Sequence, residues 1–144
     1  MKVKWLGHAC FLITSAIRLK ILTDPYEAGF QSIISYGPVK ESPDIVTISH
    51  QHGDNNYTGD LLGSPKIVHG AGRQVVSAIE FIGIPCYHDR VSGRERGSNT
   101  IFCFAVDGIR LCHCGDLGHP LDRATTQSLG RVDVLLIPTG GPPA

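Results

Sequence analysis

Apolar and polar positions alternate in short runs along most of the chain, the period of half-buried β-strands. Such runs cover Lys2 to Leu6, Cys10 to Thr14 and Arg18 to Thr23; around the third, Ile17, Leu19 and Ile21 fall on one side and Arg18 and Lys20 on the other. Asp24-Pro25 ends it, because proline has no N–H for a ladder and restricts the residue before it. Residues 26–43, rich in Gly, Ser and Pro, read as a long loop of the functional kind. The apolar run Ile45 to Ile48 within Asp44 to Ser49 predicts a strand buried on both faces, and Lys66 to Val68 predicts another. Val75, Val76, Ile79 and Ile82 fall at helical spacing ahead of Gly83, which predicts a helix over Arg73 to Ile82. Ile84 to Tyr87, Asn99 to Val106 and Ile109 to His113 predict strands, with Asp107-Gly108 as a hairpin turn between the last two. A helix over roughly Leu121 to Leu129 and a strand from Val132 to Ile137 complete the pattern. Strands followed by strand, helix and strand predict a mixed, layered α/β domain.

The length of 144 residues suits one domain, 1–144. Hydrophobic residues at 42% against 18% charged place the chain among globular rather than disordered proteins. Thirteen basic and thirteen acidic residues balance, and no basic run stands out, so neither a nucleic-acid nor an anionic-membrane partner is expected. The first apolar stretch is broken by Arg18 and Lys20, too soon for a signal peptide, and no run reaches the ~20 apolar residues of a membrane span. Five cysteines without a paired spacing fit reduced thiols and a cytoplasmic location. Cys112 and Cys114 fall on one face of a strand, where they read as small buried hydrophobes rather than ligands.

The chemistry is concentrated in Ser49-His50-Gln51-His52-Gly53-Asp54-Asn55, directly after the buried strand. Histidines two apart at a strand end can point the same way and share one metal, and an aspartate adds an oxygen ligand or a base. His88 follows a second apolar strand, and Asp116 stands on a glycine turn after a third. Several strand ends delivering His and Asp to one edge is how a layered α/β fold assembles a site. Each residue alone has a blander reading as a loop or capping residue; the combination points to a metal.

The order Trp5-Leu6-Gly7-His8, Thr23-Asp24-Pro25, His50-x-His52-x-Asp54, His88-Asp89 and Gly115-Asp116-Leu117-Gly118-His119 resembles the zinc-dependent hydrolases of the metallo-β-lactamase fold. Within them it is most similar to the small bacterial proteins related to ascorbate-6-phosphate lactonase. The resemblance implies an αββα sandwich with metals at one edge between two sheets. His50, His52 and His88 would hold the first ion, Asp116 would bridge to a second, and Asp54 would ligate that second ion. The implied activity is hydrolysis of an ester, lactone or phosphoester in a small molecule by a metal-bound hydroxide. Asp54 and Asp116 would be the catalytic carboxylates. Zinc is the expected ion, one rather than two, with manganese or iron as alternatives.

Two departures qualify this. The family's motif continues with a histidine where this chain has Asn55, a neutral amide ill suited to a zinc-like ion. Family members also continue past the strand ending at Pro138 to a further helix, strand and histidine, whereas this chain ends in Gly140-Gly141-Pro142-Pro143-Ala144. The sandwich is thus expected to lack its last helix and strand, with a homodimer as one way to cover the open sheet. The alternative function is a catalytically impaired metal-binding relative. Asp24 is read as a strand end or as a hydrogen-bond partner of a ligand loop. His8 is read as a turn residue or a contact near the metal edge. His119 is placed outside the ligand set, and His69 and His113 are expected to be structural. The charged run Asp89 to Arg96 is expected to be a solvated loop whose arginines meet an anionic substrate at the cleft rim.

Overall fold

A computed structural model describes residues 1–140, and the tail from Gly141 to Ala144 lies outside the described residues. Two five-stranded sheets form in chain order. The first runs β1 (Lys2–Gly7), β2 (Cys10–Thr14), β3 (Lys20–Thr23), β4 (Ile45–Ile48), β5 (Lys66–His69). The second comprises β6 (Gly72–Val76), β7 (Ile79–Tyr87), β8 (Ser98–Val106), β9 (Ile109–His113) and β10 (Val134–Leu136), in the spatial order β10-β9-β8-β7-β6. Both are mixed: β3–β4, β4–β5 and β9–β10 pair parallel, and the rest antiparallel.

The sheets pack face to face because alternate positions on each are apolar. Ile13, Ile21, Ile45 and Val68 from the first sheet meet Phe81, Phe102, Phe104, Val106 and Leu111 from the second in one buried cluster. Each sheet has a second apolar face that must also be covered. On the second sheet, Ile84, Cys86, Ile101, Cys103, Cys112 and Cys114 pack beneath Leu129 of α1 (Arg123–Leu129). Cys112 and Cys114 therefore fill an apolar layer, as their spacing suggests. Asp122 starts this helix, its side chain accepting the Thr125 N–H at 2.7 Å, and Gly130 at φ 64° ends it.

On the first sheet the cover is the segment 26–43, with only a 3₁₀ turn at Phe30–Ser32. Tyr26, Ile34 and Val39 lie buried on Cys10, Leu12, Leu22, Val46 and Ile48. The expected long loop is therefore present, and it does the work of a helix layer.

Two expectations are corrected. Residues 73–82 form no helix; they are the β6–β7 hairpin, closed by Val76↔Ile79. Ser77 (φ 51°) and Ala78 (φ 61°) take the left-handed pair of a two-residue turn without the Asn or Gly that would announce it. The β-branched residues that matched a helical period belong to strands, and seven-residue pairing of β7 with β8 overrides the local pattern. Gly83 is no helix stop: a Cβ there would lie 2.2 Å from the Gly70 carbonyl oxygen, so it admits a close backbone. The third strand begins at Lys20 rather than Arg18. Residues 15–19 form a turn with Arg18 at φ 66°, leaving Ile17 85% exposed at its tip.

Candidate metal centre

Five strand ends meet at one rim between the sheets: β1 delivers His8, β3 Asp24, β4 Ser49 and His50, β7 His88, and β9 the turn carrying Asp116. The two sheets are joined there by a hydrogen bond from Thr100 N–H to the Ser49 carbonyl, 2.9 Å.

Two groups of ligand-type side chains form. In the first, His50, His52 and His88 bring ligand atoms within 4.8 Å of one another, with ring centroids 4.6, 4.9 and 5.5 Å apart. In the second, His8, Asp54 and Asp116 do the same. Asp116 Oδ2 lies between them, 3.4 Å from His88 Nε2, 3.8 Å from His50 Nε2 and 3.9 Å from His8 Nε2. These spacings suit donors around an ion, since ligands at ~2.0–2.2 Å in a tetrahedron stand ~3.3–3.6 Å apart. Among the described residues, buried side-chain polar atoms without a hydrogen-bond partner include His50 Nε2, His88 Nδ1, Asp54 Oδ1 and Asp116 Oδ2. Buried polar atoms are normally satisfied, so His50 Nε2 and Asp116 Oδ2, both bare and 3.8 Å apart, fit a cation.

The orientation of His50 is fixed from behind. Asp24, fully buried, accepts from Ser49 N–H (2.7 Å), Ser49 Oγ–H (2.5 Å) and Asn55 Nδ2–H (3.1 Å). With its own O–H donated to Asp24, the Ser49 hydroxyl accepts from His50 Nδ1–H at 2.9 Å, which leaves a lone pair on Nε2 facing the group. Burial, helped by the neighbouring histidines, pushes His50 down to about 4 and lowers His88, so both are neutral near pH 7 and fit to ligate. Burial raises Asp24 to about 6.

The second group has the opposite electrostatics. A hydrogen bond to Asp54, 3.3 Å from Nε2 to Oδ2, raises His8 against the effect of burial. Burial also opposes the Asp54 charge, but His8 outweighs it and holds that carboxyl below its ordinary range. Asn55 does not join the donors. Its Nδ2 turns to Asp24, and its Oδ1 lies 3.3 Å from His8 Nε2.

Asp116 is placed by Asn99, which the sequence reading missed. Asn99 Oδ1 accepts the Asp116 N–H (3.2 Å), while Nδ2 donates to the Cys114 carbonyl (2.8 Å) and the Cys86 sulfur (3.1 Å). Gly115, at φ 53°, is required: a Cβ would lie 2.4 Å from Ser49 Oγ. Gly118 N–H donates to the Tyr87 carbonyl and Tyr87 N–H to His119 Nε2, 3.0 and 3.1 Å. His119 therefore clips the end of β7, outside both groups. His113 is buried, as expected of a structural residue, and its Nε2 donates to the Ala9 carbonyl, 3.0 Å.

The segment 89–96 is the expected loop, with Arg90, Ser92, Arg94 and Glu95 exposed, but its first residue is buried. Asp89, only 6% exposed, accepts from the backbone N–H groups of Val91, Gly93, Glu95 and Arg96 at 2.8–3.1 Å. Burial opposes its charge, but these donors prevail and draw the carboxyl to about 2. The loop brings Arg96 to a cavity of about 290 Å³ also lined by His50, His52, His69 and Thr100.

The profile of the Beta-lactamase superfamily domain matches residues 2–144. The chain belongs to this superfamily. It also belongs with the UPF0173 metal-dependent hydrolases: the protein from Methanoregula boonei is 30% identical over 165 residues, covering 98% of this chain and 70% of its own length. That from Methanospirillum hungatei is 29% identical, covering 98% and 71%. A crystal structure from Thermotoga maritima, described as a Zn-dependent hydrolase of the metallo-β-lactamase superfamily, superposes with a TM-score of 0.76 at 32% identity. It covers 96% of this chain, which spans 61% of that one. CmlA, a diiron β-hydroxylase from Streptomyces venezuelae, shares the fold at 16% identity and a TM-score of 0.61, covering 92% of this chain and 33% of its own.

Within the metallo-β-lactamase superfamily the expected two-sheet sandwich is thus confirmed. What the sequence alone did not separate was His8 from a turn residue, or Asp24 from a strand terminator. Thr23-Asp24-Pro25 carried a signal for Asp24 only through the family resemblance; Asn99 carried none.

Proposed function

We propose that this chain carries the catalytic centre of a metal-dependent hydrolase, with one ion held by His50, His52 and His88 and with Asp116 completing its coordination. The observation behind this is the set of three converging imidazoles, two of them buried and neutral with Nε2 3.8 Å (His50) and 3.4 Å (His88) from Asp116 Oδ2, the His50 nitrogen being without a hydrogen-bond partner. Zinc suits neutral imidazoles with one carboxylate; manganese and iron remain options, as the diiron neighbour CmlA indicates for the fold. When bound, such an ion supplies Lewis acidity and a nucleophilic water near neutral pH.

The chain's own residues do the rest. Asp24 and Ser49 hold the His50 ring in its ligating tautomer. Asp54 keeps Oδ1 buried and bare, a proton acceptor that can orient a water or carry its proton. Arg96 and His69 line the cavity beside His50 and His52, which supports a small substrate with an anionic arm. An ester, lactone or phosphoester fits this arrangement. The lactone reading is supported by the resemblance to ascorbate-6-phosphate lactonase.

Five free, buried cysteines support a reducing, cytoplasmic setting, and among the described residues no helix is long and apolar enough to cross a membrane. We take 1–144 as one domain. Leu135 and Ile137, 50% and 47% exposed at edge strand β10, support a second copy of the chain covering that edge.

The test is metal content per chain in protein purified without chelator, with His52→Ala alongside, followed by hydrolysis of lactones and phosphodiesters. Bound metal that His52→Ala loses, with turnover, upholds the reading. Metal retained in that variant removes the three-histidine site. Metal without turnover favours the impaired relative, to which Asn55 points.

A further inference from the structure

The segment 26–43, which covers the first sheet, also reaches the rim. Two of its rings rest on glycines of turns that carry site residues. The Phe30 ring occupies the space a Cβ would need at Gly53, between His52 and Asp54. The Tyr36 ring does the same at Gly7, next to His8. Neither glycine could carry a side chain without displacing its ring. Around Phe30 the backbone is left-handed at Gly29 (φ 75°), Gln31 (φ 44°) and Ser32 (φ 58°). Such a conformation is costly for Gln and Ser, and it persists only where the surroundings enforce it.

What stands at this side of the rim is aromatic. Trp5, from β1, is 56% exposed and Tyr36 39% exposed, with ring centroids 5.6 Å apart in an edge-to-face pair. Trp5 Nε1–H donates to the His8 carbonyl at 2.9 Å, which holds the indole against the same turn. Buried Tyr26 backs the pair, 6.0 Å from Tyr36, and its hydroxyl donates to the Leu6 carbonyl at 2.7 Å. Large apolar side chains exposed together mark a binding surface. This surface is continuous with the site, since its rings lie on the turns bearing His8, His52 and Asp54. Whatever lies on Trp5 and Tyr36 therefore lies at the mouth of the histidine group. Neither residue lines the cavity of Arg96 and His69, so the mouth has one cationic wall and one aromatic wall.

We propose that Trp5 and Tyr36 form an aromatic subsite and that the substrate is an ester or phosphoester carrying an aromatic ring. The ring lies on the Trp5–Tyr36 pair, and the polar end faces the histidines. The inference rests on the reading of the rim as a hydrolytic centre, and it makes Trp5 and Tyr36 specificity-determining residues.

Trp5 is the only tryptophan of the chain, so its emission reports occupancy of this subsite directly. The experiment titrates the full chain, as purified, with phenyl phosphate, methyl phosphate and inorganic phosphate. Trp5 fluorescence and calorimetric affinity are read together, with metal content measured alongside. Phenyl phosphate is expected to change the emission saturably and to bind about 10-fold tighter than methyl phosphate, the scale of an added aromatic contact. Tyr36→Ala, its folding checked by circular dichroism, is expected to erase that preference while holding inorganic phosphate and metal as the wild type does. Tyr36→Phe is expected to restore it. Trp5→Leu, read by calorimetry, carries the test if Tyr36→Ala does not fold. Equal affinities for phenyl and methyl phosphate, or a preference that both variants keep, would overturn the subsite. So would an emission change that follows protein concentration and self-association in sedimentation, because a second copy of the chain would then cover the rings. A phenyl preference in protein that binds no metal would sink the hydrolytic reading and leave the aromatic subsite standing.

Discussion

The two groups of side chains meet at a single carboxylate, Asp116, yet their electrostatics are opposite. In the His50–His52–His88 group, burial strips charge: His50 and His88 are driven neutral, the opposing charge of Asp24 being outweighed at His50, which it also orients through the Ser49 hydroxyl. In the His8–Asp54–Asp116 group, charge is retained: His8 and Asp54 each stabilise the other's ionised form. The first group arises from a strand end and lies open at His52, beside the cavity. The second is closed by a strained turn and by Asn55. The difference teaches that one rim can hold neutral imidazoles and a charged imidazole–carboxylate pair side by side, with Asn55 bonded to Asp24 and His8 between them.

The sharpest way to break this comparison is Asp116→Ala. If the groups are coupled through Oδ2, bound metal should fall to near zero and turnover by about 10³-fold or more, the scale of losing a preorganised electrostatic group. If they are independent, elemental analysis will show the three-histidine ion still present. Asp24→Asn should act on the first group preferentially. A neutral amide disturbs the Ser49 relay, and loss of such outer support costs about 10–100-fold in metal affinity. Unchanged metal affinity of this variant in calorimetry would refute the relay.

The smallest effect concerns pH. Burial lowers His113 to about 4, whereas an unfolded imidazole titrates near ~6.5. Between those values the unfolded chain binds the extra proton, so this residue's contribution to stability is full above ~6.5 and is lost as pH falls toward about 4. His113→Gln should flatten that acid-side slope in urea titrations of the metal-free chain. An unchanged slope would show that His113 does not carry it.

Much of the rim was legible in the sequence, because it lies where apolar strands stop: His50, His52, His88 and Asp116 each follow such a run. The Asp107-Gly108 turn was legible for the same local reason, and both residues do take positive φ. What was not legible depended on distant partners. The 72–87 hairpin turns through Ser77 and Ala78, whose identities do not encode a left-handed pair. Its strand character comes from pairing with β8. Asp89 looked solvated beside four charged neighbours, yet its surroundings are backbone amides that no composition reveals. His8 reaches Asp54 and Asp116 across 46 and 108 positions, so only the packing of the two sheets could place it among them.

The Asp89 loop bears on the cavity beside the histidines. One carboxylate reads four main-chain amides here, and the Arg94 side chain adds a bond to the Val91 carbonyl at 2.9 Å. A single buried carboxylate thus acts as the hub of a loop that carries Arg96 to the cavity, so the position of the cavity wall depends on the charge of Asp89.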